Sequence, residues 1–212
     1  MKFFSIPPRP IFPKFLNNLK LLTLLFVFQV GYGSSASAAD LEEFKVFPLD
    51  LKVGEMNLHR QGAGHRTASF FNIKVYIAAL YLEKKYEEGK AKEDLTTSKE
   101  TKSIELHPLY DISKEDSQKG WNLALQDACA KQCQEIQKEQ AAFLKIVPAF
   151  KKGEHHRYLF SGDQFEFFLN EKSIFKSKDK SFAQVLLKTW VGEKPVSESL
   201  KKDLLGEDSK LE

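Results

Sequence analysis

Two side chains in the stretch "GAGHRTASFFNIKVYIAALYLE", Arg66 and Tyr76, are of types that act together. Arg66 follows the glycines Gly62 and Gly64, and Tyr76 stands near the start of an apolar run. A guanidinium and a phenol converging on one apolar cleft would bind a carboxylate or a polarised carbonyl through charge-assisted hydrogen bonds. Convergence requires that the segments on either side of "ASFFN" pair as a hairpin, with the glycines read as a turn before Arg66. The plainer reading is a surface arginine in an ion pair and a core tyrosine with a satisfied hydroxyl. As a phosphate loop "GAGHR" is weak, because a strand rather than a helix follows it.

Other chemistry has less support. His155 and His156 are adjacent, so on a strand they point to opposite faces and cannot share a metal easily. They read as exposed residues at a strand end. His59, His65 and His107 are scattered, and there is no H-E-x-x-H, G-x-S-x-G, P-loop or dinucleotide-binding glycine pattern. No carboxylate spacing recommends an acid–base pair. Neither a metal nor a cofactor is therefore expected.

The N-terminal segment has a different purpose. Lys2, Arg9, Lys14 and Lys20 precede the apolar "LLTLLFVFQV" and then the small-residue run "GSSASAAD". This is the pattern of a signal peptide spanning residues 1–39, with cleavage after Ala38 or Ala39. The apolar core is shorter than the roughly 20 residues of a transmembrane helix; a retained anchor is the alternative. A periplasmic or secreted product, residues 40–212, is expected as a single domain. Of the 32 Lys+Arg and 29 Asp+Glu, the leader takes four basic residues and no acid, leaving 28 against 29. Such a near-neutral domain argues against a nucleic-acid partner. No later stretch is long and apolar enough to span a membrane.

Export also frames Cys129 and Cys133, the only cysteines. On one continuous helix a bridge between them would be strained. A turn between them gives a small bridged loop, and a structural disulfide is expected in an oxidising compartment. The spacing is one residue too long for C-x-x-C redox chemistry.

The elements that must position these residues follow from patterning. Asp40–Val53 and the stretch containing Met56 and Leu58 read as extended. In "IKVYIAALYL", Val75, Ile77, Ala79 and Tyr81 alternate with Tyr76, Ala78, Leu80 and Leu82, and both faces are apolar. That pattern predicts a central strand covered on two sides. Residues 84–102 form a charge run with almost nothing to bury, a solvated connection or exposed helix. Ser103–Leu109 resumes as a strand. Ser113 caps a helix carrying Trp121, Ala124, Leu125 and Ala128, and a second helix carries Ile136, Phe143, Leu144 and Val147. The cysteines fall at the corner between these two helices. Two short strands flank "SGD" as a hairpin. Phe182, Val185, Leu186 and Trp190 then repeat at helix spacing, and Ser197 caps a last helix that stops at Gly206. The order predicts an α+β fold with a mostly antiparallel sheet.

"GAGHRTASFFNIKVYIAALYLE" together with "VLLKTWVGEKPVSESLKKDLLG" resembles the chalcone isomerase superfamily, in particular its exported bacterial branch. The resemblance covers most of residues 54–206. It implies an open-faced β-sandwich: a large antiparallel sheet with helices packed on one side and a ligand cleft between them. Arg66 matches the cleft arginine of the plant enzymes, and Tyr76 stands where they hold a threonine. An ungapped alignment places Pro108 at their lysine and Ser117 at their tyrosine, and Thr189 matches a pocket threonine.

Stabilising a developing enolate needs placed donors, and those departures remove most of them. A non-enzymatic, fatty-acid-binding branch is similar locally, with an arginine and a tyrosine gripping the ligand carboxylate. The resemblance thus implies an apolar carboxylate ligand held by Arg66, Tyr76 and Thr189. The alternative is an intramolecular lyase acting on an enone-like substrate. Arg66 would then be the catalytic cation, and Tyr110, Thr67 and Lys74 the candidate second donors. A third reading, an envelope interaction module with a vestigial cleft, predicts a cavity too filled for a chain-like ligand.

Overall fold

The computed structural model describes residues 42–68, 73–85 and 95–207. The expected signal peptide, residues 1–39, lies outside the described residues, as do 69–72, the last four residues of "ASFFN", and 86–94 of the charge run. Seven strands are described: β1 (Asp50–Val53), β2 (Met56–Ala68), β3 (Ile73–Leu82), β4 (Lys102–Pro108), β5 (His156–Ser161), β6 (Gln164–Leu169) and β7 (Lys172–Ser177). They form one antiparallel sheet in chain order. The helices are α1 (Lys114–Cys129), α2 (Gln137–Ile146), α3 (Lys180–Val191) and α4 (Glu198–Leu205). Together they make the α+β, open-faced β-sandwich that the patterning and the resemblance implied.

Tight turns set the sheet order. Gly54 and Gly162 adopt φ of +58° and +60° in two-residue connections, where only glycine is free of strain. Asn170 and Glu171 adopt φ of +48° and +64° in a third, the conformation of the hairpin turns that match strand twist. This last turn adds β7, a third strand where the sequence pattern gave two.

β3 is central, and both of its faces are buried. Tyr76, Ala78, Leu80 and Leu82 pack with the buried residues of all four helices. Ile77, Ala79 and Tyr81 pack on the other side against Phe44, Phe47, Leu58 and Ala63. The helices therefore cover one face, while the short 3-10 turn Phe44–Val46 and the chain after it cover the opposite one. Arg60 and Tyr81 fasten that segment, donating to the carbonyls of Phe47 (2.6 Å) and Pro48 (2.8 Å).

The helix boundaries follow local chemistry. Ser113, Asp179 and Ser197 each accept a backbone N–H as N-caps, and Gly206 ends α4 in the left-handed conformation. α1 stops at Cys129, because Ala130 turns the chain at φ +47°. That turn lets Cys129 and Cys133 form a disulfide with Cα atoms 4.9 Å apart. The bridged corner is the expected one.

Three expectations need correction. The "GAG" segment is not a turn, because Gly62 and Gly64 lie inside the 13-residue β2. A Cβ on Gly62 would fall on the Asp203 carbonyl and 2.8 Å from that of Leu204, and one on Gly64 would fall on the Asp203 side chain. These glycines let the end of α4 rest directly on the strand backbone. The histidine pair is not exposed either. β5 is an interior strand, and His156 is fully buried against Phe150 and Phe167. Finally, the described end of the charge run is not wholly solvated. Leu95 is buried, and Lys102 opens β4 with its ammonium donating to the carbonyls of Ser98 and Glu100, both at 2.7 Å. Satisfied by these carbonyls, with the charges of Glu100 and Glu83 nearby, it can be buried.

Candidate functional site

Arg66 and Tyr76 are paired across β2 and β3. Cross-strand partners present their side chains to the same face. Here it is the helix face, because Tyr76 shares it with Ala78 and Leu80. The register shifts between Arg66 and Thr67, and such an irregularity re-aims the side chain beside it. The hairpin geometry required for convergence is thus present on both flanks of "ASFFN".

A cavity of about 180 Å3 opens at this point. Its floor is Arg66, Val75 and Tyr76, and α1 contributes Asp116, Ser117 and Trp121. Thr189 and Trp190 of α3, with Phe150, complete much of the wall. The amphipathic spacing on α1 delivers this lining, since Ser117, Trp121 and Ala124 lie within two turns of one face.

Neither half of the plainer reading holds for Arg66: among the described residues it makes no hydrogen bond or ion pair. It is half-buried, with Tyr76 opposite and aromatic rings around it. Burial pushes the Tyr76 phenol up to about 12, while the neighbouring Trp190 indole and the Arg66 charge pull the other way. Tyr76 is therefore a neutral hydrogen-bond donor at any physiological pH. The Trp190 Nε1 lies near it without reaching hydrogen-bond geometry.

The remaining candidates divide clearly. Thr189 lines the cavity, but its hydroxyl donates to the Leu186 carbonyl at 2.7 Å. It can offer a ligand only an acceptor or its methyl group. Ser117 is brought into the wall; Pro108 pairs with Tyr76 on the β4 side and supplies no cation there. Tyr110 is exposed, Thr67 pairs with Lys74 past the register shift, and Lys74 reaches Glu43 at 3.8 Å. None of these three second donors lines the cavity. Among the described residues no group of three or more His, Cys, Asp or Glu is placed to hold a metal.

Sequence reasoning missed the aromatic depth of the site. Trp121 packs edge-on against Trp190, with centroids 5.3 Å apart, and tilts against Tyr158 at 5.5 Å. The signal was present in the helical spacing of the two tryptophans, but spacing alone reads as core.

A family model described as chalcone isomerase-like matches residues 39–206. The fatty-acid binding protein AtFAP1 of Arabidopsis thaliana is similar in structure, with a TM-score of 0.58 and 15% sequence identity. The likeness covers 78% of this chain and 94% of that one. At that identity it speaks for the fold. No match was found among curated protein sequences.

Proposed function

The chain belongs to the chalcone isomerase-like family, and we propose that it is a non-catalytic member that binds a fatty acid or similar apolar carboxylate. Arg66 would pair with the carboxylate, Tyr76 would donate to it, and the aromatic and aliphatic walls would bury the apolar part. The observation that carries this reading is Arg66 itself: a half-buried cation in an apolar cavity, with no anion bonded to it among the described residues. A cation so placed is stabilised by an incoming carboxylate, and charge-assisted bonds are the strong ones. Apolar area then supplies affinity at about 25 cal/mol per Å2, while the two polar groups fix orientation. The fatty-acid binding protein of similar fold gives this ligand class its precedent.

Residues 1–39 would direct export, leaving the domain in the periplasm or outside the cell. The Cys129–Cys133 disulfide suits an oxidising compartment. Among the described residues no helix is long and apolar enough to cross a membrane.

The test is extraction of ligands from protein purified under native conditions, followed by mass spectrometry and by titration with octanoate. Carboxylic acids should be recovered from the wild type and lost from Arg66→Ala. An empty wild-type protein whose Arg66→Ala variant binds octanoate equally well would overturn the reading. N-terminal sequencing of the envelope-fraction protein should begin at Ala39 or Asp40; an intact Met1 would overturn export by cleavage.

A further inference from the structure

Ser117 and Trp190 line the same cavity as Arg66 and Tyr76. The Ser117 Oγ and the Trp190 Nε1 are nevertheless buried without a hydrogen-bond partner among the described residues. So is the hydroxyl of Tyr158, whose ring packs on Trp190 and Trp121 with centroids 5.0 and 5.5 Å away. Exposure of 6% for Ser117, 1% for Trp190 and 0% for Tyr158 leaves them little access to bulk water. Buried polar atoms in native proteins are nearly always paired, and each unpaired one costs stability. Three of them gather in and behind one cavity wall.

A carboxylate offers about four lone-pair sites and donates nothing. Two N–H groups of Arg66, the Tyr76 hydroxyl and the Trp190 indole N–H would fill them. Ser117 and Tyr158 would then remain unserved. Ser117 is the better placed, because it lines the cavity and a turn about one bond moves its Oγ between staggered positions.

We propose that the ligand carries a second oxygen, a hydroxyl or a carbonyl, that accepts a hydrogen bond from Ser117. The ligand class is then a hydroxy or oxo carboxylic acid rather than a plain hydrocarbon acid. The inference rests on the reading of Arg66 as the carboxylate partner. Size agrees with a compact ligand, since the cavity of about 180 Å3 is smaller than the roughly 300–1,000 Å3 typical of sites that enclose drug-sized molecules.

The chain's two tryptophans, Trp121 and Trp190, both line the cavity, so their fluorescence reports occupancy. The experiment titrates octanoate and its monohydroxy and mono-oxo congeners, with the oxygen at successive chain positions. At least one congener should bind about tenfold tighter than octanoate. That ratio should fall close to one in Ser117→Ala, a substitution small enough to leave the fold intact. Octanoate binding as tightly as every congener overturns the proposal, and so does a preference that survives in Ser117→Ala; either leaves the carboxylate reading standing. Failure of every acid to bind, or binding indifferent to Arg66→Ala, overturns that reading and the proposal with it.

Discussion

Arg66 and Tyr76 form the next same-face pair of β2 and β3 beyond Gly64 and Ala78. The end of α4 rests on Gly62 and Gly64, and a side chain at either position would displace it. The helix therefore lies on β2 at Gly62 and Gly64, and the next side chain on that face is the Arg66 guanidinium. Packing and binding are two consequences of one strand: the glycines bring α4 down onto the sheet, and Arg66 is the next residue along the same face.

Truncating this pair should affect binding far more than folding. Arg66→Ala should weaken octanoate binding by about 10- to 100-fold, the loss expected of a charge-assisted hydrogen bond. Arg66→Lys should fall between, because an ammonium cannot make the bidentate contact. Tyr76→Phe should cost about fivefold, one neutral hydrogen bond. With Tyr76 protonated up to about pH 12, affinity should stay level from roughly pH 6 to 9 and decline below about pH 5 as the ligand carboxyl gains its proton. Calorimetric titration of each variant across pH checks all four expectations. Thermal midpoints should not fall in Arg66→Ala, since no described residue loses an ion pair.

The glycine contact predicts a different signature. Gly62→Ala places a methyl group against backbone carbonyls of Asp203 and Leu204, which cannot rotate away. Overpacking of this kind costs about 1–3 kcal/mol or more, measured by chemical denaturation. Gly54→Ala meets nothing within 4 Å and suffers only from its positive φ, so it should be the milder variant.

These residues also show how far the sequence could be read. The two-faced burial of β3 was legible, because alternation there is apolar on both sides. The helices were legible from caps at Ser113 and Ser197 and from the spacing of Trp121 and Trp190. The purpose of Gly62 and Gly64 was not, since a glycine that admits a helix looks the same in sequence as one that makes a turn. β7 was hidden because Asn170–Glu171 lacks the glycine that advertises a tight hairpin. The burial of His156 depends on which strands flank β5, a long-range fact that no local pattern carries. Arg66 and Tyr76 were found as a pair, but whether an anion already paired with Arg66 could be answered only in three dimensions.

Reducing the Cys129–Cys133 disulfide should destabilise the domain modestly. The loop it closes is short, with a sequence separation of 4. Chain-entropy reasoning gives about 2 kcal/mol for such a loop, equivalent to a thermal midpoint lower by about 4–8 °C. Comparing melting with and without reductant, and against Cys129→Ala/Cys133→Ala, measures it. Octanoate affinity should be unchanged, because neither cysteine lines the cavity.

The face opposite the cavity should govern how stability depends on pH. There the buried Glu105 carboxylate accepts from Ser103 Oγ, from His155 Nε2 and from Arg157 Nε at 2.9 Å. His155 also meets Glu171 at 3.0 Å and stacks on His107, with centroids 4.8 Å apart. Burial works against a charge on His155, but the hydrogen bond and charge of Glu105 outweigh it and hold its pKa above the ordinary 6.5. His107 goes the other way: burial, with the His155 charge beside it, pushes it down to about 4. The signs follow from linkage. The His155 contribution is fully present below the unfolded value and is lost as pH rises through the higher folded value. His107 must stay neutral in the fold, so it removes stability as pH falls from about 6.5 towards 4. His155→Gln should therefore cost about 1–3 kcal/mol at pH 6 and less at pH 9. His107→Phe should gain on the wild type as pH drops below 6.5, and with one fewer burdened histidine its acid limb should flatten. Urea unfolding at half-unit pH steps reads both differences directly. A His155→Gln deficit that grew from pH 6 to pH 9 would contradict a charged His155 held by Glu105.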